Sequence, residues 1–295
     1  LELVHSDVCG PISPASLGEA SYVLTITDDH SRASWVRFLK RKSEVPAEIK
    51  KWIALVENQF DKKVKRIRSD RGGEYVNITL QSFFGLKGIA HERTVAYTPS
   101  QNGVAERLNR TLFDKARSML LHLPVSDKRL WAEAVATANF LRNRSPTKHL
   151  ENTTPYEKLM GKKPDVSMLR IFGSRVFVHV HRQERKGKLD ARSTPGIMVG
   201  YSVDSPGYRV LMEASKKIRT YRDIHFDEST LIKRNEEVQP EQSVGLNDNL
   251  CKKEEDTTEE ENALDENKQR RYPQRKRTQT QFYQLGEQGT DRKSV

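Results

Sequence analysis

Three acids stand at positions where a sheet edge could gather them: Asp7, Asp70 and Glu106. Asp7 closes the alternating run Leu1-Glu2-Leu3-Val4-His5-Ser6-Asp7 before Gly10-Pro11. Asp70 follows the strand-like stretch 64–68 and precedes Gly72-Gly73. Glu106 comes just after the loop Thr98-Pro99-Ser100-Gln101-Asn102-Gly103, and 35 residues (positions 71–105) separate it from Asp70. Two of the acids would therefore end strands and the third would begin a helix. Carboxylate oxygens are hard donors that suit Mg²⁺ or Mn²⁺ and suit zinc poorly. Two such ions about 3.5–4 Å apart activate an attacking oxygen and stabilise the leaving oxygen of a phosphodiester. Taken singly, each acid also has an ordinary role: Asp7 capping the turn into Gly10-Pro11, Asp70 as a turn acid, Glu106 on a solvated helix face.

Strands at 1–8, 21–28 and 33–39 are predicted from their alternation, the last two joined by the short turn Asp29-His30-Ser31-Arg32 as a hairpin. A helix follows, with Ser43 as its expected N-cap, Pro46 in its first turn and Ile49, Trp52, Ile53, Val56 and Phe60 at helical spacing. A strand at 64–68, a helix at 78–86 and a strand at 89–93 lead to the loop at 98–103. That loop feeds a long helix carrying Val104, Leu108, Leu112, Met119 and Leu120, and a second helix spans 127–143. This order implies a mixed sheet flanked by helices, hence an α/β core. Short strands at 171–172, 176–180, 196–201, 208–211, 218–221 and 224–226, punctuated by Gly and Pro, predict a small antiparallel barrel.

Of the 295 residues, 35% are hydrophobic and 31% charged, and the net charge of +11 favours a polyanionic partner. Cys9 and Cys251, far apart and without CxxC partners, give neither a disulfide framework nor a zinc ligand set, so the chain reads as intracellular. No apolar run approaches the roughly 18 residues of a membrane span, and no signal peptide is visible. Past about residue 235 the chain turns acidic and apolar-poor, then abruptly basic over 270–277, which reads as a disordered tail. A chain that opens inside a strand without an initiator Met is expected to be a piece of something longer.

The blocks HSDVCGP, TITDDHSRASWVRFL, RSDRGGEY and YTPSQNGVAERLNRTL resemble, in order, those of the copia-type retrotransposon integrase core, and the 35-residue spacing is similar to that of retroviral integrases. The resemblance runs on through WAEAVATANFLRNRSP and TPYEKLMGKKP. LRIFGSRVFVHV, RKGKLDARSTPGIMVGYS and YRVL are similar to the small Src-homology-3 (SH3)-like barrel that follows the core in this family, so that about 1–230 is covered. The resemblance implies a ribonuclease H-like core with a mixed five-stranded sheet at 1–165, an SH3-like barrel at 166–232 and the tail at 233–295. It makes Asp7, Asp70 and Glu106 the catalytic, metal-binding triad for two Mg²⁺ or Mn²⁺ ions. The implied reactions are trimming of element DNA 3′ ends and strand transfer into target DNA. Implied partners are those DNAs, further copies of the chain, and other Pol products such as reverse transcriptase. The implied location is the nucleus, after a cytoplasmic particle stage. The family's His-His-Cys-Cys zinc module has no counterpart here and is expected upstream of Leu1.

Around the triad, Gln101, Asn102, Arg107, Arg110 and Lys115 are the candidate nucleic-acid contacts, with a solvated helix face as the alternative for each cation. His91 and the loop 99–103 border the expected site, as DNA contacts or as simple structure. Asp28 and Asp29 read as hairpin-turn acids and Glu74 as exposed at a helix start. His179 and His181 read as surface histidines, and Trp35, Trp52 and Trp131 as core. The basic run 270–277 reads either as a nuclear-import signal or as a generic electrostatic tail. Two other functions remain: a ribonuclease H, against which the 35-residue spacing and the QNGVAERLNRT block argue, and a DNA-binding protein that has lost catalysis.

Overall fold

The computed structural model describes residues 1–94, 102–125, 127–180, 182–185, 187, 189–202 and 206–229. Alternation along the first strands has a direct structural result. In β1 (Leu3–Cys9), β2 (Tyr22–Asp28) and β3 (Ser34–Leu39), one set of side chains, including Val4, Val8, Leu24 and Ile26, packs on α1 (Val45–Phe60) and α2 (Ile78–Lys87). The opposite set, with Val23, Val36 and Phe38, packs on α3 (Gly103–Leu121) and α4 (Trp131–Asn143). With β4 (Arg66–Ser69) and β5 (Ala90–Arg93) the sheet order is β3-β2-β1-β4-β5. β1 pairs antiparallel with β2 and parallel with β4, and β4 pairs parallel with β5. β1 is thus the central strand, covered on both faces, and a charged residue on it is held where its neighbours put it.

Helix α5 (Pro155–Met160) leads to β6 (Arg175–His179), β7 (Ser193–Tyr201), β8 (Tyr208–Met212), β9 (Ile218–Tyr221) and β10 (Ile224–Asp227). These form an all-antiparallel five-stranded sheet in the order β10-β6-β7-β8-β9, the SH3-like part of the chain. Helix α4 is shared between the two sheets. Phe140 stacks on Tyr201 with centroids 4.2 Å apart, and the Arg144 guanidinium lies 3.5 Å over the Phe140 ring. Thr137 Oγ1 donates to the Val199 carbonyl, and a Cβ on Gly200 would sit 3.1 Å from that Oγ1, so the helix meets β7 where only glycine lets it approach. Glu133 accepts two bonds from Arg209, at 2.6 and 2.7 Å. Removing the charge by Glu133→Gln should lower stability by about 1 kcal/mol in urea unfolding. An unchanged midpoint would leave the joint to the other contacts of α4.

Local differences from the sequence reading have local causes. Ser43 does not cap α1: a 3-10 turn over Lys42–Glu44 takes its place, and Glu44 is the residue before the helix. The expected helix from 127 starts as a 3-10 turn, Lys128–Leu130, with the Asp127 side chain accepting from Arg129 N. No strand forms at 171–172, because Gly173 at φ +92° turns the chain and its N–H bonds the Met198 carbonyl. Trp52 and Trp131 are core, as expected, and Trp35 packs edge-on against Trp52. Among the described residues, no helix is long and apolar enough to cross a membrane.

Candidate active site

Two acids from distant parts of the chain meet through strand register. β1 and β4 run parallel with Leu3 beside Arg66, Val4 beside Ile67 and His5 beside Arg68. Asp70 follows directly on β4, just past the paired stretch, and both its charge and that of Asp7 act on the buried Tyr75 phenol, which places the two acids in one locality. Asp7 is 5% exposed. Asp70 is half-buried just past β4, where one of its carboxylate oxygens accepts the Gly72 N–H at 3.1 Å. That bond explains the Gly72-Gly73 signal: the acid folds the chain back over itself into an Asx-type turn.

Helix α3 crosses this edge. Asn109 Nδ2 donates to Asp7 at 2.8 Å, and Asn102 Nδ2 lies 3.5 Å from the other carboxylate oxygen. Asn102, at the N-cap position of α3, makes no capping bond with its side chain. Its amide reaches Asp7 instead. Asn102, Glu106 and Asn109 are spaced i, i+4, i+7, which is one stripe of a helix. Glu106 therefore sits in the first turn of α3 between two residues that touch Asp7, with its own side chain exposed. The positive end of the helix dipole adds to the hold on these anions.

Tyr75 marks the same locality from beneath. It is fully buried, and its hydroxyl shares a 2.8 Å hydrogen bond with Ser6 Oγ. Its phenol is pushed well above the ordinary range, first by burial, then by the negative charge of Asp7, with Asp70 and Glu74 adding to it. Beside Asp70, Ser69 Oγ bonds His91 Nε2 at 2.9 Å, and burial followed by the nearby Arg93 charge lowers the His91 pKa. His91 thus lies at the site margin with one ring nitrogen tied to the strand.

Among the described residues, no three His, Cys, Asp or Glu side chains stand close enough to enclose an ion. Asp7 lies on β1, Asp70 just past the neighbouring β4, and Glu106 in the first turn of the helix that crosses β1. Their donors nevertheless fit a hard divalent cation. All are oxygens, and the Oδ1 atoms of Asn102 and Asn109 add two buried, unpartnered oxygens beside Asp7.

The remaining sequence candidates fall in different places. Arg107 and Arg110 are exposed and neighbours at i, i+3 on α3. Lys115, also exposed, has its pKa lowered by partial burial and by the Arg142 guanidinium of α4, which puts it away from that pair. Asn102 is 4% exposed against Asp7 rather than on an open face. Gln101, His181 and the run 270–277 lie outside the described residues. Glu74 is half-buried in the turn after Asp70, ahead of α2 rather than exposed at its start. Asp28 accepts from Ser31 N and Oγ at 2.9 and 2.6 Å, in keeping with a turn role, and Asp29 accepts from His5 Nε2 at 3.0 Å. Sequence reasoning missed Asn109 and Tyr75. A signal existed for Asn109: it is a small polar residue beside Leu108 and Leu112 on the core-facing side of α3.

Residues 1–99 match the family model described as "Integrase core domain", and residues 174–241 match "Retroviral polymerase SH3-like domain". The chain is 44% identical over 229 residues to the retrovirus-related Pol polyprotein from transposon TNT 1-94 of Nicotiana tabacum, covering 78% of this chain and 17% of that protein. It is 33% identical over 230 residues to the corresponding polyprotein from transposon RE1 of Arabidopsis thaliana, covering 78% and 15%. The chain thus spans only 15–17% of the length of these curated relatives. A solved structure, the HTLV-2 integrase catalytic core domain in complex with magnesium (trimeric form), aligns at 17% identity and TM-score 0.42, covering 54% of this chain and 95% of that one.

Proposed function

We propose a function from one premise: the chain belongs to the integrases of copia-type retrotransposon Pol polyproteins, with an integrase core domain followed by a retroviral-type SH3-like domain. Its reaction is trimming of element DNA 3′ ends and joining of those ends to target DNA. In the first step water forms a bond to phosphorus and a 3′-hydroxyl leaves. In the second that hydroxyl attacks a target phosphodiester and displaces a target 3′-oxygen, so one P–O bond replaces another. Neither step needs a covalent enzyme intermediate.

Asp7, Asp70 and Glu106 would hold a pair of Mg²⁺ or Mn²⁺ ions, which would supply charge stabilisation at the attacking and leaving oxygens. The observation that carries this reading is the parallel pairing of β1 with β4, which lays the strand bearing Asp7 beside the strand that leads into Asp70, with the α3 stripe bearing Glu106 crossing through Asn109. The amides of α3 orient Asp7. Arg107, next to Glu106, and Arg110, one turn along from it, are both exposed and bind backbone phosphates, which aligns the DNA for the reaction. Tyr75 fills the floor of the site and excludes water from beneath the carboxylates. The partners are element-end and target DNA, further copies of the chain and other Pol products such as reverse transcriptase. Insertion into host DNA makes the nucleus the place of action.

The test is an assay of the full chain with labelled element-end DNA, a target plasmid and Mg²⁺. Joined product dependent on the ion is the expected result. DNA binding without joining in either Mg²⁺ or Mn²⁺ would overturn it in favour of a binding protein, and degradation of an RNA–DNA hybrid as the main activity in favour of a ribonuclease.

A further inference from the structure

Asn102 and Asn109 are each 4% exposed, yet each leaves its Oδ1 buried without a hydrogen-bond partner. Such atoms are rare in folded proteins, because the water they give up is not replaced. Asn139 on α4 gives the contrast. It is 8% exposed, and both ends of its amide are engaged by Ser34, Oδ1 accepting from Oγ at 2.6 Å and Nδ2 donating to the carbonyl at 2.9 Å. Among the described residues, oxygens of Thr27 and Thr147 are also buried without a hydrogen-bond partner, but Asn102 and Asn109 form the pair that shares one stripe of α3 against Asp7.

Their orientation has a simple cause. An ionised carboxylate only accepts, so the amide nitrogens must face Asp7 and the oxygens must turn away. That arrangement suits Asp7 without a cation. A hard divalent cation beside the same carboxylate attracts oxygen donors and repels N–H groups, which reverses the preference. The stronger of the two contacts, 2.8 Å from Asn109, is the one such a reversal changes most.

We propose that Asn109 is a positioning residue that works as an amide switch. Without a cation its Nδ2 holds Asp7; with one bound, the side-chain amide turns over and presents Oδ1 toward the ion, while Asn102 keeps the other carboxylate oxygen in place. The inference rests on the reading of Asp7 as a metal ligand. It explains why a neutral amide, able to present either a donor or an acceptor, stands where a fixed donor such as Lys or Arg would compete with the ion.

The experiment is Mn²⁺ titration of the full chain without DNA, followed by the electron paramagnetic resonance of free Mn²⁺, alongside thermal unfolding. Asn109→Leu removes both amide atoms and should weaken Mn²⁺ binding about tenfold or more, as loss of a supporting contact around a metal does. Asn109→Asp keeps an oxygen at the same place and should bind Mn²⁺ at least as tightly as the unaltered chain. Without ion it should melt at lower temperature, because two carboxylates then face each other. Wild-type affinity in both variants, or weakened affinity in Asn109→Asp, overturns the switch. If Asn109→Leu does not fold, the side-chain amide signals of Asn109 in ¹⁵N-labelled protein decide. They should move on addition of Mg²⁺, and unmoved signals overturn the proposal. Asp7→Asn separates the two levels: retained Mn²⁺ binding there removes the metal-site reading itself. Lost binding there, with unaltered binding in both Asn109 variants, removes only the switch.

Discussion

Asp70→Asn and Glu106→Gln are each expected to reduce Mg²⁺-dependent strand transfer by about 10³-fold or more, equivalent to about 4 kcal/mol of transition-state stabilisation, while DNA binding persists. Both changes keep the size and shape of the side chain and remove one charge. Asn at position 70 retains the Oδ1 that accepts the Gly72 N–H, so the turn after β4 keeps its bond. Glu106 is exposed, and a neutral isostere on a helix surface changes stability by only about 0.5 kcal/mol or less. The DNA-binding term comes from an excess of cations, +11 over the whole chain, which losing a carboxylate can only increase. A gel assay for joined product, with a filter-binding measurement on the same preparations, checks both halves. Full joining activity in either variant would remove that residue from the metal-binding set.

The largest expected effect on stability is at Trp52. This side chain is 1% exposed, meets Trp35 edge-on with centroids 5.2 Å apart, and lies among Ile49, Ile53 and Val56 of its own helix and the β1–β2 core residues. Trp52→Ala should cost about 3–5 kcal/mol, the range for emptying a buried aromatic site. Trp52→Phe should cost clearly less. It keeps most of the ring contacts and removes the indole N–H, a buried donor that has no partner. Urea denaturation followed by circular dichroism gives both values. A Trp52→Ala midpoint equal to wild type would mean that α1 does not depend on this contact.

Much of the fold was legible because its elements carry strong local signals. The alternation of 1–8 and 21–28 and the helical spacing of Ile49, Trp52, Ile53, Val56 and Phe60 are decided by which face each residue buries. Ends of elements were less legible. Ser43 has the chemistry of a cap, yet the chain enters α1 through a 3-10 turn, and Gly173 breaks the strand that Ile171 and Phe172 suggest. At the site, Asp7, Asp70 and Glu106 stood out through the ordered blocks around them, since each acid singly has an ordinary role. Their closeness rests on a parallel pairing of β1 with β4, which no local pattern encodes. Asn109 and Tyr75 act through contacts with β1 residues remote in sequence, so neither drew notice. A polar residue inside an otherwise apolar helix stripe was the one hint at Asn109. Asn102, which reads in the sequence as a loop residue available to DNA, has its amide turned inward onto a carboxylate.

The parallel pairing of β1 with β4 also sets a timetable. β1, β2 and β3 follow one another in the chain and form an antiparallel meander, whereas β4 reaches β1 only after α1 has crossed over. Closing that long loop is slow compared with forming the hairpins, and contacts between residues far apart in sequence dominate the folding time of such sheets. Asp7 and Asp70 come together only once that loop has closed, so the repulsion between them is met by a chain that can already hold the β2–β3 hairpin.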